Sequence, residues 1–208
     1  MKHLLLFVTL VSLLAGCAVI RQPPEAEPGV ADAAAWQAHR ETLAELKTWA
    51  LQGRVATGQL LGWTGNLNWR QNGEDFDVRL SGPMGAGGFR ASGTLDRVVI
   101  RTGDRRMVTT EPDALVERTL GWTFPLEPLR YWGRGLPAPG GYDRISVDAQ
   151  GRLVALEQDG WKIAFPEYAE PDGAPALPER IVLDNGETRI RLVVDRWFDI
   201  GGASAPDA

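Results

Sequence analysis

Residues 61–80 read LGWTGNLNWRQNGEDFDVRL, a stretch with a regular alternation of side chains. Apolar side chains alternate with polar ones from Leu61 to Trp69, and again from Phe76 to Leu80. A two-residue period is typical of strands with one buried face. Between the two runs stands Asn72-Gly73, a dipeptide that favours a tight hairpin turn. The stretch therefore predicts a pair of antiparallel strands.

The same alternation continues along the chain. Further strands are predicted at 49–56, 88–94, 97–102, 105–110, 143–148, 152–158, 161–167, 179–184 and 187–195. Apolar residues at helical spacing predict an amphipathic helix over 32–47 and shorter helices over 112–120 and 125–132. The chain shows no internal repeat and no βαβ rhythm. We therefore expect a mainly β fold with some α, an open (unclosed) antiparallel β-barrel of about eleven strands with helices across its mouth.

Residues 1–16 have the pattern of a secretory signal, with Lys2 before an apolar run that is too short to span a bilayer. Cys17 follows Ala-Gly and is the only cysteine of the chain. This arrangement resembles a bacterial lipoprotein signal, which implies cleavage before Cys17 and its lipidation. Ala18 stands where an aspartate would imply retention in the inner membrane, so the resemblance points to the outer membrane.

The remaining chain divides into three parts. Residues 17–30 are rich in Pro and Glu and predict a flexible tether that reaches at most about 40 Å. Residues 31–198 carry the strand and helix patterns and form the predicted domain. Residues 199–208 are predicted to be a disordered tail.

Charge and composition exclude several classes of function. The chain has 22 Lys and Arg against 27 Asp and Glu, a net charge of −5, which argues against a nucleic-acid partner. The same balance gives no reason to expect electrostatic adhesion to anionic lipid, so the acyl anchor is expected to hold the protein. His39 is the only histidine after the predicted cleavage and lies in a predicted helix. The chain has no nucleophile elbow, no His/Cys metal spacing and no phosphate-binding glycine loop, so no enzyme activity, metal or cofactor is predicted.

The chain contains eight tryptophans. The strand pattern places seven aromatic side chains inward, namely Trp63, Trp69, Phe76, Phe89, Trp161, Phe165 and Trp197. Two interpretations stay open at this point, because such residues either fill a core or line an apolar pocket. Residues 81–88 join two strands without any charge and set Met84 among glycines. Beside a bilayer, an exposed apolar tip of this kind is able to dip into acyl chains.

Several short motifs follow one another in a fixed order. They are Trp36 in the leading helix, Gly53-Arg54, Gly82-Pro83-Met84-Gly85, the run 121–126 with Leu129, Trp132 and Gly135-Leu136-Pro137 behind it, Leu177-Pro178, and Asp195-Arg196-Trp197. Together with the lipoprotein signal, they resemble the LolB family of outer-membrane lipoproteins across nearly all of the mature chain. The resemblance implies an unclosed eleven-stranded barrel whose helices cap an apolar cavity, in agreement with the strand count.

The resemblance also implies a function. A LolB-like protein is an outer-membrane receptor on the periplasmic side, a monomer without a cofactor. It takes client lipoproteins by their acyl chains from the periplasmic carrier LolA and inserts them into outer-membrane phospholipid. Cys17 would be the lipidated residue, and Pro83, Met84 and Gly85 would form the membrane-insertion loop, with Met84 at the family's leucine position. The alternative is a structural or assembly lipoprotein of the outer membrane with no lipid cargo.

The resemblance assigns the acyl-chain cavity to inward-facing residues of the barrel and its helices. These residues are Trp49, Trp63, Leu67, Trp69, Phe76, Val78, Leu80, Phe89, Trp122, Leu129, Trp132, Trp161, Phe165 and Trp197. Arg130 and Arg134 fall near the expected mouth of the cavity. They are predicted to meet an acidic rim on the carrier.

Overall fold

The computed structural model describes residues 33–58, 62–82 and 88–202 of the 208-residue chain. These residues form three α-helices, eleven strands and one short 3-10 turn. The elements in chain order are α1 Ala33–Glu45, β1 Thr48–Thr57, β2 Thr64–Asn72, β3 Asp75–Ser81, β4 Phe89–Thr94, β5 Arg97–Thr102, β6 Arg105–Thr109, α2 Pro112–Leu120, α3 Leu126–Trp132, β7 Arg144–Val147, β8 Leu153–Gln158, β9 Trp161–Ala169, β10 Leu177–Asp184, β11 Arg189–Phe198 and the turn Ile200–Gly202. None of the described helices is long and apolar enough to cross a bilayer.

All eleven strands belong to one antiparallel sheet in the order β6-β5-β4-β3-β2-β1-β11-β10-β9-β8-β7. Strands β1 to β6 and β7 to β11 are two meanders, and the pairing of β1 with β11 joins them. Within the described residues, β6 and β7 each pair on one side only, so the sheet is not closed. The predicted open, eleven-stranded antiparallel fold with helices is confirmed.

A single hydrophobic core joins the two halves of the sheet to the helices. It contains side chains from both meanders together with Leu43 of α1, Val116 of α2 and Leu129 of α3. Because one cluster contacts both halves of the sheet, the sheet curves around the helices. The strand pattern follows the predicted alternation, as in β3, where Phe76, Val78 and Leu80 are buried.

Some boundaries differ from the sequence prediction for local reasons. Helix α1 ends at Glu45 rather than at residue 47, because Leu46 turns back to donate to the Leu43 carbonyl at 3.2 Å. Strand β10 begins earlier, at Leu177, and includes Pro178, where the register with β9 shifts because proline has no N–H for the ladder. Strand β11 continues to Phe198.

The C-terminal end of the domain also extends further than predicted. Asp199 accepts a hydrogen bond at 2.7 Å from Arg70 of β2, and the turn Ile200–Gly202 follows. Residues 199–202, which the sequence assigns to the tail, therefore belong to the folded part. The other residues of the predicted tail lie outside the described ranges, as do the predicted signal and tether.

Candidate functional site

The structure gathers most of the predicted cavity residues into one buried interior. Twelve of the fourteen belong to the core cluster, namely Trp49, Leu67, Trp69, Phe76, Val78, Leu80, Phe89, Leu129, Trp132, Trp161, Phe165 and Trp197. Trp63 and Trp122 are partly buried and pack against the cluster. For the residues on strands, the alternation therefore identified the side chains that face inward. Their contact with acyl chains stays a prediction.

Two tryptophan groups hold the interior together. Trp49 lies with its ring centroid 5.6 Å from that of Trp69 and 5.6 Å from that of Trp197, so that β1, β2 and β11 share one aromatic group. Trp132 of α3 lies 6.4 Å from Trp161 of β9. Large aromatic side chains bury much apolar area, and tilted or edge-on pairs add a further small attraction. These contacts join α3 to the wall of the sheet.

A third aromatic group lies at the end of the sheet where β2 begins. The Trp63 and Trp122 ring centroids are 5.9 Å apart, and Trp122 contacts Phe124 edge-on at 5.7 Å. Trp63 precedes β2, while Trp122 and Phe124 lie between α2 and α3. The Trp63 ring covers Gly65, where an added Cβ would lie 2.4 Å from a ring carbon. This partly exposed pair therefore ties the helices to that end of the sheet.

Hydrogen bonds fix the orientation of most buried indoles. Trp132 donates to Gln158 at 2.8 Å, Trp69 to Gln71 at 3.1 Å, and Trp197 to the Pro178 carbonyl at 3.0 Å. Trp49 differs, because its buried Nε1 has no hydrogen-bond partner among the described residues. A buried donor without a partner costs free energy.

A cavity of about 480 Å³ lies at the opposite end of β2, between α1, α3 and the β2–β3 turn. Its volume is within the range of small-molecule sites. Its wall mixes apolar and charged side chains, in contrast to the uncharged interior expected from the sequence. The lining residues are Arg40, Glu41, Ala44, Leu46, Lys47, Trp49, Gln71, Gly73, Glu74, Arg130, Tyr131, Arg134, Leu136 and Pro137.

Arg130 and Arg134 are only 7% and 8% exposed, and both bind other parts of the domain. Arg134 donates from Nη1 to the carbonyls of Leu43 at 3.0 Å and Leu46 at 2.7 Å. Arg130 donates to Glu74 at 2.8 Å. The prediction that these arginines face an acidic carrier rim is therefore wrong: they fasten α3 to the end of α1 and to the β2–β3 turn. The helical spacing of apolar residues around α3 did not reveal these hydrogen bonds. Arginine is rarely buried without partners, and the partners here lie far away in the sequence.

Three titratable groups on or directly after the helices have pKa values that burial changes. Burial lowers the pKa of Arg134 to about 10, which leaves its guanidinium charged at neutral pH. Burial raises the pKa of Asp113 to about 6, while its Oδ1 accepts a hydrogen bond from the Glu127 N–H at 3.2 Å and so joins α2 to α3. Burial also lowers the pKa of His39 on α1, whose Nε2 has no partner among the described residues.

Four predicted site residues lie outside the described ranges, namely Cys17, Pro83, Met84 and Gly85. The strands that flank the predicted insertion loop are described: β3 ends at Ser81 and β4 begins at Phe89. The roles of Cys17 and of the loop therefore stay predictions.

The sequence matches the family described as "Outer membrane lipoprotein LolB" over residues 47–197. The chain belongs to the LolB family. Its relatives named outer-membrane lipoprotein LolB include a protein of Stutzerimonas stutzeri, 43% identical over 196 residues that cover 93% of this chain and 94% of that protein. Another, from Pseudomonas paraeruginosa, is 40% identical over 197 residues, 94% of this chain and 95% of that protein. The solved structure of a LolA superfamily protein from Nitrosomonas europaea aligns with a TM-score of 0.48 and 8% identity, covering 77% of this chain and 91% of that one.

The LolB match begins just before β1 and ends at Trp197, near the end of β11. It therefore spans the described sheet except for Phe198, the helices α2 and α3, and all fourteen predicted cavity residues. Helix α1 precedes the match.

Two residues that organise this LolB domain were not found from the sequence. Gln158, at the end of β8, accepts from Trp132 and from the Ala138 N–H, and donates to the Ala138 carbonyl at 2.8 Å. Gly151 approaches α1 so closely that an added Cβ would lie 2.3 Å from the Ala35 carbonyl carbon. The available signal for Gln158 was a polar residue at a position where β8 alternates inward. For Gly151 the sequence shows only a turn glycine.

Proposed function

We propose that this protein is an outer-membrane-anchored acceptor that takes lipoproteins from a periplasmic carrier and inserts them into the outer membrane. The observation that carries the proposal is the LolB match over residues 47–197, which includes all eleven strands of the open sheet, β11 as far as Trp197. The acylated Cys17 would anchor the protein on the periplasmic side. The partners of the proposal are the carrier LolA, the acyl chains of client lipoproteins and outer-membrane phospholipid.

The aromatic interior is the proposed acyl-chain site. Each methylene that moves from water into an apolar environment gains about 0.8 kcal/mol, so an acyl chain in transit is far more stable inside a protein than in water. Transfer from one protein cavity to another avoids exposure of the chain and needs only a small difference in affinity. The proposed transfer consumes no nucleotide, so it has to run downhill in affinity.

The interior has to open before an acyl chain fits. In the described structure, twelve of the predicted cavity residues are buried in one packed cluster. Helices α2 and α3, which follow β6 and precede β7, pack inside the unclosed sheet. A shift of α2 and α3 away from the sheet would break few polar contacts, chiefly those of Arg134 with the end of α1, of Arg130 with Glu74 and of Trp132 with Gln158. We therefore assign the opening to the helices and not to the hydrogen-bonded sheet.

The test uses the mature chain without Cys17 and a periplasmic carrier loaded with a labelled lipoprotein. The label is expected to move to this protein and then to added liposomes. The control is the same mixture without this protein, in which the label should stay on the carrier. Retention of the label on the carrier, with this protein demonstrably folded, would contradict the acceptor role.

One observation favours a second candidate function, a structural outer-membrane lipoprotein with no lipid cargo. The interior is densely packed, as a core that never opens would be. Uptake of a hydrophobic fluorescent probe separates the two functions, because a permanently filled core binds none. An acceptor should bind the probe, and a client lipoprotein should displace it.

A further inference from the structure

Four arginines occupy directly opposed positions on four neighbouring strands. Arg79 of β3 pairs with Arg90 of β4, Arg90 pairs with Arg101 of β5, and Arg101 pairs with Arg106 of β6. We call these four residues the arginine row. Neighbouring strands lie about 4.8 Å apart, so the row is about 14 Å long.

The arginine row lies on the outer face of the sheet. Side chains alternate between the two faces of a strand, and the residues next to the row point into the core. Those buried neighbours are Val78, Leu80, Ala91 and Ile100. Arg79, Arg101 and Arg106 are exposed, and the side chain of Arg90 is 42% exposed.

Little negative charge compensates the row. Arg90 donates from Nε to Asp77 at 2.7 Å, and within the described ranges the other three arginines form no ion pair. The exposed Asp104 of the β5–β6 turn stands next to the exposed Arg105 and adds no net negative charge there. The row is thus a cationic strip on a chain whose net charge is −5.

Folding does not account for this strip. Like charges placed directly opposite each other on neighbouring strands destabilise a sheet. Charged side chains do protect an edge strand from pairing with another molecule, which explains Arg106 on β6. Edge protection does not explain Arg79, because β3 lies three strands away from the edge strand β6.

The row lies close to one end of the sheet. It is one residue from the last pair of β3 with β4, Leu80 with Phe89, and one residue from the last pair of β5 with β6, Thr102 with Arg105. On the same outer face of β6, Val108 is 48% exposed. Cationic side chains beside an exposed apolar residue suit a surface that contacts the boundary between water and lipid.

We propose that the arginine row binds phosphate groups of anionic phospholipids in the bilayer that holds the anchor. Guanidinium groups match phosphate oxygens with paired hydrogen bonds, and a row of them meets several headgroups at once. The contact keeps this end of the sheet against the membrane. Net charge alone gave no reason to expect such adhesion, but the strand register concentrates positive charge where the sum over the chain is negative. This inference rests on the proposed outer-membrane anchoring and not on lipoprotein transfer.

The test measures how close the anchored domain stays to the lipid surface. The mature acylated protein is placed in phosphatidylcholine liposomes with or without phosphatidylglycerol, and energy transfer from its tryptophans to a headgroup dye is recorded. The test variant is Arg79→Gln/Arg101→Gln/Arg106→Gln. The matched control, Arg144→Gln/Arg189→Gln/Arg191→Gln, changes the net charge equally on exposed positions of β7 and β11.

Wild type and control should show more energy transfer in the anionic liposomes, and high salt should abolish the difference. The row variant should show only the phosphatidylcholine value, because each arginine near an anionic surface shifts the equilibrium by about fivefold, or about a hundredfold for three. The single variant Arg101→Gln should lose part of the extra energy transfer in anionic liposomes. It replaces the triple variant in the test if the triple variant does not fold.

Equal energy transfer for wild type in both kinds of liposome would overturn the inference. Equal losses in the two triple variants would also overturn it, because net charge alone would then explain the adhesion. The row variant is also tested in the cargo-transfer assay with the loaded carrier. If it keeps its lipid contact but no longer accepts cargo there, the arginine row binds an acidic protein partner and the inference is overturned. The lipid measurement contains no carrier and no client, so its result is independent of the acceptor function.

Discussion

At the scale of single residues, the buried carboxylate of Asp113 makes the stability of the domain depend on pH. Burial raises its pKa in the folded state to about 6 from 3.8. The folded state therefore keeps the proton to a higher pH than the unfolded chain does, and the free energy of unfolding falls as the pH rises from about 4 to about 6. This cost is then fully present at neutral pH.

We predict that Asp113→Asn removes this dependence. An amide oxygen is still able to accept from the Glu127 N–H, and it carries no charge to desolvate. The variant should be more stable than wild type by about 1–3 kcal/mol at pH 7 and equally stable at pH 4. Denaturant unfolding at a series of pH values measures both. An unchanged difference between pH 4 and pH 7 in the variant would mean that other groups cause the slope.

Gly151 is a second residue whose effect is set by its surroundings. Its φ is +73°, and an added Cβ would lie within 2.4 Å of backbone atoms of Ala35 and Trp36 in α1. Gly173 has a similar φ of +70° but nothing within 4 Å of an added Cβ. An alanine at Gly173 would suffer only the backbone strain of a positive φ, whereas an alanine at Gly151 would suffer the same strain and also collide with α1. Comparing the two variants therefore measures the cost of the collision.

We predict that Gly151→Ala costs clearly more stability than Gly173→Ala. The Gly173 variant should lose about 1 kcal/mol through backbone strain alone. The Gly151 variant should lose the same stability through strain. It should lose a further amount of about 1–3 kcal/mol, because α1 has to move away from the β7–β8 turn. Hydrogen exchange should show faster opening of α1 in this variant only. Equal losses of stability would show that α1 yields without cost.

At the scale of elements, the contact between α1 and α3 depends on Arg134. Its guanidinium donates to the carbonyls of Leu43 and Leu46 at the end of α1, and to the Arg130 carbonyl at 3.1 Å. The arginine is buried and charged, so loss of any of these acceptors would leave the charge poorly solvated. Arg134 thus holds two helices in one arrangement.

We predict that Arg134→Gln loosens these helices without disrupting the sheet. The loss of charged hydrogen bonds should cost about 1.5–3 kcal/mol of the free energy of unfolding. Binding of a hydrophobic fluorescent probe should increase, because the helices then cover the interior less tightly. Arg144→Gln is the matched control, since the Arg144 side chain is 77% exposed. Unchanged probe binding in the Arg134 variant would show that movement of the helices does not open the interior.

The elements were largely predictable from the sequence, whereas the contacts between them were not. Alternation in stretches such as 61–80 depends only on which face of a strand is buried, so it gave the strands and their inward residues. The hydrogen bond between Arg134 and the Leu46 carbonyl joins residues that are 88 positions apart. Nothing in the local pattern of α3 specifies such a partner. The arginine row has the same origin, because its members become neighbours only once the register is known.

At the scale of the whole molecule, the open sheet separates two tasks. The interior is apolar and packed around the helices, while the arginine row lies on the outer face near the ends of β3 and β4. The predicted insertion loop connects these same two strands. Membrane contact and acyl binding would therefore use different surfaces, and a change to one should leave the other intact.

This separation gives the prediction for Met84, the apolar residue of the predicted loop. Met84→Glu should leave the free energy of unfolding and the uptake of a hydrophobic probe unchanged, since the residue is not expected to contribute to the core. Delivery of a labelled lipoprotein to liposomes should become slower. Burial of a methionine in acyl chains gains about 1.5–3 kcal/mol, which a charged side chain forfeits.

Tyr142→Glu is the matched control, because it adds the same charge at a residue that is 46% exposed and lies between α3 and β7. The control should deliver cargo at the wild-type rate, measured as the label that floats with liposomes over time. If Met84→Glu also delivered at that rate, the loop would have no part in insertion, and contact through the arginine row would have to suffice. If both variants were slow, added negative charge near an anionic membrane would be the cause, and high salt should then restore both rates.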